Sequence, residues 1–219
     1  DWSSDVCSSD LPKSDLHTVE ATMEAFVHLG VARQAAPPLR YDGGRAPAVD
    51  GLGPRYAVIH PPALMETKRW APGNFARLAE ALQLMGVQPV LTCGPGETGV
   101  LDSVCAETPQ ALRVGELEIH SLAGLIQRAC LYVGNDSGPM HLAAAVGTPV
   151  LALWGSSDSR RWRPWGVDHE VIQNPFECNP CPGYRCGVAP TPLCIESVTV
   201  EQALDGARRL LRRHANSPS

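Results

Sequence analysis

Between Tyr132 and Gly155 the chain reads YVGNDSGPMHLAAAVGTPVLALWG, and a short part of it holds Asp136, Ser137, Gly138, Pro139 and His141. These residues combine a carboxylate, a hydroxyl, an imidazole and a Gly-Pro pair. A β-rich run ends at Val133, Ser137 is an N-cap type and Pro139 suits a first helical turn, so the spacing predicts a strand-to-helix turn. The outermost N–H groups of such a turn and the helix dipole suit an anion such as phosphate, and Gly138 leaves its approach open. His141, one turn on, reaches the same anion. Asp136 would repel phosphate and is better suited to accept hydrogen bonds from neighbouring sugar hydroxyls. A Ser137–His141 nucleophile pair is the rival reading. It needs a Gly-x-Ser-x-Gly elbow, and Asn135 and Pro139 occupy the flanking positions instead.

Two further loops carry groups that such a ligand needs. Ile59-His60-Pro61 runs on to Lys68-Arg69-Trp70, where Lys68 or Arg69 supplies a fixed positive charge to a diphosphate. Each charge-assisted hydrogen bond is worth roughly 1.5–3 kcal/mol. Cys93-Gly94-Pro95-Gly96-Glu97 puts the Glu97 carboxylate where a ribose is held in dinucleotide sites. Farther along, Cys178, Cys181, Cys186 and Cys194 form C-x2-C-x4-C-x7-C in a Pro-rich stretch. Four thiolates can close a tetrahedral zinc site, so a structural zinc or a redox-sensitive loop is expected there. Cys93, Cys105 and Cys130 lie in apolar surroundings and read as packing residues. Arg160 to Trp165 reads as a solvated loop packed by its tryptophans.

The elements that must position these loops are legible from periodicity. Leu16 to Leu29 is an amphipathic helix with Gly30 at its carboxyl end, followed by a Pro/Gly/Ala-rich linker from Ala35 to Pro54. Strands are expected at Tyr56–Ile59, Pro89–Thr92, Leu112–Val114, Leu131–Val133 and Pro149–Leu153. Helices are expected over Asn74–Met85, Glu97–Glu107, a segment capped by Ser121, and Gly138–Val146. A last helix carries Val200, Leu204, Ala207 and Leu211 opposite Arg208, Arg209, Arg212 and Arg213, cations that complement its dipole. The alternation makes this an α/β protein: a Rossmann-like parallel sheet with helices on both faces, with ligands at the carboxyl ends of the strands.

Composition narrows the class. The 219 residues are 44% hydrophobic and 19% charged, which excludes disordered and fibrous chains. The formal net charge is −5, or −2 once Asp1, Asp5 and Asp10 are set aside, and so near-neutral a chain argues against nonspecific nucleic-acid binding. The longest apolar stretch, Leu142 to Gly155, is broken by Gly147, Thr148 and Pro149 and is too short to span a bilayer. Residues 1–11, DWSSDVCSSDL, can be encoded codon for codon by a common sequencing adapter and read as a scar. The expected divisions are 1–11 scar, 12–54 remnant, connecting helix and linker, 55–197 ligand-binding lobe with the Cys-rich loop, and 198–219 helix and tail.

Ile59-His60-Pro61 with Lys68-Arg69-Trp70, Gly94-Pro95-Gly96-Glu97, and Asn135 to Pro149 running into Leu153-Trp154-Gly155 together resemble glycosyltransferase family nine, the heptosyltransferases of lipopolysaccharide core assembly. The resemblance runs from His17-Thr18-Val19-Glu20 to about Val200. It implies the C-terminal, nucleotide-sugar lobe of a two-lobed GT-B fold, with the acceptor lobe and its general base missing and the gene truncated. It implies ADP-heptose or a related nucleotide sugar as donor and an inverting transfer to the lipopolysaccharide inner core. Lys68 and the backbone around Ser137, Gly138 and Pro139 would hold the diphosphate, with His141 assisting; Glu97 would contact the ribose and Asp136 the transferred sugar. No Asp-x-Asp pair occurs, so no cofactor is expected for catalysis. The resemblance implies a cytoplasmic protein, with peripheral contact at the inner face of the bacterial inner membrane as an open possibility. The family usually has Gly where this chain has Pro62. A GT-B relative using another nucleotide sugar, and a non-catalytic module whose Cys-rich loop mediates contacts, are the alternatives.

Overall fold

The computed structural model describes residues 15–215 except residue 182; the stretch read as an adapter scar lies outside the described residues. Strands β1 (Tyr56–His60), β2 (Gln88–Cys93), β3 (Leu112–Glu116), β4 (Leu131–Asn135), β5 (Val150–Leu153) and β6 (His169–Ile172) pair in parallel, in the order β3-β2-β1-β4-β5-β6. The helices are α1 (Thr18–His28), α2 (Pro72–Leu84), α3 (Thr98–Glu107), α4 (Ile119–Gln127), α5 (Gly138–Ala145), α6 (Ser159–Trp162), α7 (Leu193–Glu196) and α8 (Val200–Ala215). This is the α/β class expected. Strand order reverses between β1 and β4, so the chain leaves β1 toward one face and β4 toward the other, opening a crevice at their carboxyl ends.

Both faces are covered because side chains alternate along each strand. Ala57, Ile59, Leu131, Val133, Leu151 and Leu153 pack with α2, α3 and α8. Tyr56, Val58, Tyr132, Val150 and Ala152 pack with α4 and α5. In α2, Phe75, Leu78, Ala79 and Leu82 recur at helical spacing and are fully buried. Gly147 ends α5 with φ +85°, and the Thr148 amide returns to the Ala143 carbonyl at 3.0 Å, a left-handed cap that a β-carbon would strain. Gly30 ends α1 the same way, as expected, with φ +87° and a Val31-to-Phe26 bond of 3.1 Å.

Several details differ from the sequence expectations. α4 begins a turn early: the Glu118 carbonyl accepts from the Leu122 amide at 2.9 Å, so Ser121 sits inside the first turn rather than capping it. The apolar face of Leu122, Leu125 and Ile126 is unchanged by that shift. None of the α1 side chains is buried, although the helix is amphipathic. β6 has few apolar residues because it is a sheet edge. The arginines of α8 answer acids in β6 and just before it: Arg209 pairs with Glu170 at 2.9 Å, and Arg213 with Asp168 and Glu170 at 2.8 and 2.9 Å. These pairs add to the dipole effect expected of them.

The linker has no regular structure but is not free of the sheet layers. Tyr41 donates its amide to the Ala145 carbonyl at 2.9 Å, and Gly43 and Gly44 lie against α4. A β-carbon at Gly124 would sit 2.2 Å from the Gly44 carbonyl oxygen. Alanine favours a helix interior by up to ~1 kcal/mol, but this backbone clash dominates. Gly124→Ala is therefore expected to lower stability by about 1–3 kcal/mol, read as a lower urea midpoint, and to expose the linker at residues 42–46 to protease.

Candidate functional site

A cleft of about 1120 Å³ lies over the carboxyl ends of β1, β2 and β4, where the strand order reverses. Its walls include Lys68, Glu97, Asp136, Ser137, Gly138, Pro139 and His141, so the structure brings all the expected ligand-binding residues together.

Asn135, at the end of β4 and wholly buried, ties this edge together. Its Nδ2 donates to the Pro61 carbonyl at 2.7 Å and its Oδ1 accepts from the Trp70 amide at 3.1 Å, so one side chain holds both ends of the loop after β1. Within that loop a 3-10 turn covers Glu66–Lys68. The Arg69 guanidinium folds back onto the Ala63 and Leu64 carbonyls at 2.6 and 2.9 Å. Trp70 is buried, donates its indole N–H to the Val198 carbonyl at 2.7 Å and meets Phe75 edge-on. Of the two cations, Arg69 is thus committed to the loop and Lys68 faces the cleft. Its Nζ donates to Asp136 Oδ2 at 2.5 Å. Lys68, expected for phosphate, and Asp136, expected for sugar, are therefore joined to each other.

Thr67 is gripped from the other side. Its Oγ1 donates to the Gly183 carbonyl at 2.8 Å and accepts from Ser156 Oγ at 2.9 Å. Its carbonyl oxygen would stand 2.1 Å from a β-carbon at Gly155, so only glycine permits this approach.

Ser137 holds the N-cap position of α5 in extended backbone, as expected, but its hydroxyl makes no cap bond; it donates to the Asn135 carbonyl at 3.2 Å. The first turn of α5 thus lacks a side-chain acceptor at its cap, which suits an outside anion. A β-carbon at Gly138 would meet nothing within 4 Å, so the approach is open. Burial lowers the pKa of His141, opposed by nearby Asp136. His141 thus offers a neutral imidazole rather than a fixed charge. Glu97 accepts from the Gly94 amide at 2.9 Å, closing the turn before α3.

Sequence reasoning missed four cleft-edge groups. Glu116, at the end of β3, accepts from the Gly96 amide at 3.0 Å and stands beside Glu97 as a second wall carboxylate. Trp162 is half-exposed at the mouth. Ser157 donates to Asp136 Oδ2 at 2.5 Å. His60, 3% exposed, has its pKa lowered by burial to about 4, with Nδ1 3.2 Å from Thr92 Oγ1. Position at a strand's carboxyl end was the available signal for His60 and Glu116; the partner of Ser157 is 21 residues away in the chain, and Trp162 reaches the cleft only through the fold.

Among the described residues, no group of three or more His, Cys, Asp or Glu side chains is placed to hold a metal ion. Cys178 is exposed, while Cys194 is buried in α7 with Sγ 4.0 Å from the Thr67 carbonyl. Cys181 and Cys186 accept instead from the Gly183 and Ala189 amides. Burial raises the pKa of Cys93, Cys105 and Cys130, so these thiols stay protonated as packing residues.

Two measurements follow from these contacts. Asn135→Ala leaves two backbone groups without their partner and is expected to lower stability by about 2–4 kcal/mol in urea unfolding. His60 titrates near 4 when folded and at its ordinary 6.5 when unfolded, so between these values the unfolded state binds more protons. Acidification through that window is expected to remove about 3 kcal/mol of stability, and His60→Gln to flatten the slope.

Residues 7–191 match the sequence profile of Glycosyltransferase family 9 (heptosyltransferase). The chain is 40% identical over 124 residues to Lipopolysaccharide heptosyltransferase 3 of Escherichia coli K12, covering 53% of this chain and 36% of that protein. Another Lipopolysaccharide heptosyltransferase 3 of Escherichia coli is 32% identical over 167 residues, 71% of this chain and 49% of the relative. The chain spans about half, or less, of the length of these curated relatives. Among solved structures, the glycosyl transferase family 9 protein of Veillonella parvula superposes with a TM-score of 0.74 at 20% identity, covering 93% of this chain and 62% of that one. Escherichia coli heptosyltransferase WaaC with ADP gives a TM-score of 0.65 at 20% identity, covering 90% and 57%. At these identities the structural likeness is one of fold. By the sequence match over most of its length, the chain belongs to glycosyltransferase family 9.

Proposed function

We propose that this chain is the donor-binding half of a glycosyltransferase and takes the nucleotide sugar ADP-heptose into the cleft above β1 and β4, for inverting transfer to the lipopolysaccharide inner core. The observation that carries the reading is the meeting of Lys68 with the open amino end of α5 across the topological switch point. A fixed cation and oriented amides face one cleft from two sides. The similarity to heptosyltransferases supports the heptosyl part, and the ADP bound to a structural neighbour supports the nucleotide.

In this reading the nucleoside lies toward Glu97 and Glu116, whose carboxylates accept ribose hydroxyls, and the diphosphate lies between Lys68 and the first turn of α5. Asp136 accepts hydroxyls of the transferred sugar. An acceptor oxygen bonds to the anomeric carbon as the bond from that carbon to the phosphate oxygen breaks, and the electron pair leaves on the diphosphate. Donors fixed in advance around that phosphate stabilise the transition state more than the ground state. Taking the proton from the acceptor hydroxyl is assigned to the acceptor lobe, not to this chain. No helix among the described residues is long and apolar enough to cross a membrane. The reading sets the protein on the cytoplasmic side, in peripheral contact with the membrane that carries the acceptor. Arg208, Arg209 and Arg213 of α8 are tied to Asp205, Glu170 and Asp168, so α8 is not the element assigned to that contact.

Calorimetric titration with ADP, GDP and UDP tests the reading. ADP is expected to bind tightest, and Lys68→Ala to weaken it about tenfold or more by removing a charge-assisted contact. A preference for GDP or UDP moves the assignment to another nucleotide sugar. Failure of all three to bind removes the nucleotide role.

A further inference from the structure

Lys68 and Asp136 reach each other from loops 68 residues apart and meet at 2.5 Å. Ser157, from the loop after β5, donates to the same carboxylate oxygen at 2.5 Å. The Lys68 side chain is 20% exposed and that of Asp136 only 6%, so a ligand entering the cleft reaches the ammonium before the carboxylate. The cation assigned to the diphosphate is thus already held by an anion of the protein.

We propose that Asp136 is an intramolecular competitor for Lys68, by which the cleft prefers a nucleoside diphosphate carrying a sugar over the bare nucleoside diphosphate, and that Ser157 sets the strength of that competition. This rests on the reading of the cleft as a nucleotide-sugar site. A diphosphate that engages Lys68 takes one donor from an almost buried carboxylate and leaves it the Ser157 hydroxyl. Stripping a partner from a buried charge is costly. Sugar hydroxyls next to the diphosphate replace the lost donor, whereas the bare nucleotide brings only more negative charge. Once the sugar has moved to the acceptor, Asp136 reclaims Lys68 and the spent nucleoside diphosphate is displaced. The ion pair thus favours loading with donor and unloading of product. Ser157 moderates it: a hydroxyl on the same oxygen weakens the carboxylate's hold on Lys68 and keeps it in place when Lys68 turns away.

The test is calorimetric titration of the full chain with ADP and with ADP-heptose at fixed ionic strength. Asp136→Asn keeps the shape and removes the charge; ADP is expected to bind about tenfold tighter and ADP-heptose no tighter, so the preference collapses. Ser157→Ala acts in the opposite direction, weakening ADP, and Ser157→Thr restores it. In an Asp136→Asn background Ser157→Ala changes nothing, since it acts through the carboxylate. A merely structural role predicts that each substitution loosens both ligands together. Asp136→Ser serves as a second charge-removing variant, and unchanged circular dichroism verifies the fold of each. The proposal is overturned if both Asp136 variants bind ADP no more tightly than the wild type does. If the wild type binds neither nucleotide, the nucleotide-sugar reading falls and the competitor role with it.

Discussion

A buried primary amide governs this cleft. Asn135 carries one acceptor and two donors, and in the interior it must use them or lose the corresponding free energy. It uses them on the main chain, accepting from Trp70 and donating to Pro61, and so fixes where the loop after β1 leaves the sheet and where it returns. Everything between those points inherits the constraint. Arg69 can then fold back on Ala63 and Leu64, and Lys68 is the long side chain left to project over the end of β4. A lysine side chain has four rotatable carbons of freedom, and a cation that is to act at one place needs its backbone held still.

The polarity of the cleft follows from what its groups decline to do. A serine at an N-cap ordinarily accepts from the second or third amide of its helix, a bond worth about 1 kcal/mol. Ser137 forgoes it and turns to the Asn135 carbonyl. The amino end of α5 keeps its partial positive charge exposed, facing an ammonium that is itself held by Asp136. With His141 neutral because it is partly desolvated, the charge in this corner is nearly balanced without a ligand. Such a site does not attract every passing anion. Under the proposed reading it favours one that arrives with hydroxyl donors for the displaced carboxylate.

Much of this was legible in the sequence. The continuous apolar runs of Tyr56–Ile59 and Leu131–Val133, buried on both faces, and the stripe of Phe75, Leu78, Ala79 and Leu82 determine the central sheet and its covering helices. Asp136, Ser137, Gly138 and His141 stand out because a strand, a capping residue and a glycine occur in the order that a strand-to-helix turn needs, and the fold sets all four in the cleft. β6 was not legible: an edge strand whose acids pair with α8 shows no apolar alternation, and nothing local in His169–Ile172 points to Arg209 or Arg213. The start of α4 was misjudged because Ser121 has capping chemistry, while tertiary packing of Leu122 and Leu125 tolerates a turn more on the amino side. Lys68 and Arg69 could not be told apart from composition. Only the fold shows that one spends its donors on carbonyls of its own loop.

The cysteine-rich stretch illustrates the same limit and its resolution. Spacing alone pointed to a metal, because thiol pairs two residues apart are what zinc sites use. In the structure the stretch acts through its backbone and its neighbours. The Cys181 amide donates to the Ser156 carbonyl at 2.7 Å, Gly183 offers its carbonyl to Thr67, and Asn179 and Gln173 both donate to the Gly155 carbonyl. These bonds converge on Thr67 and on the Gly155–Ser156 turn, the two segments that meet behind Lys68. The loop therefore buttresses the turn that presents the cation, while Asn135 holds it from the front. Because Ser157 follows directly on the buttressed segment, the same bonds that steady Lys68 also set the hydroxyl on Asp136, so both partners of the ion pair are positioned from one packed layer.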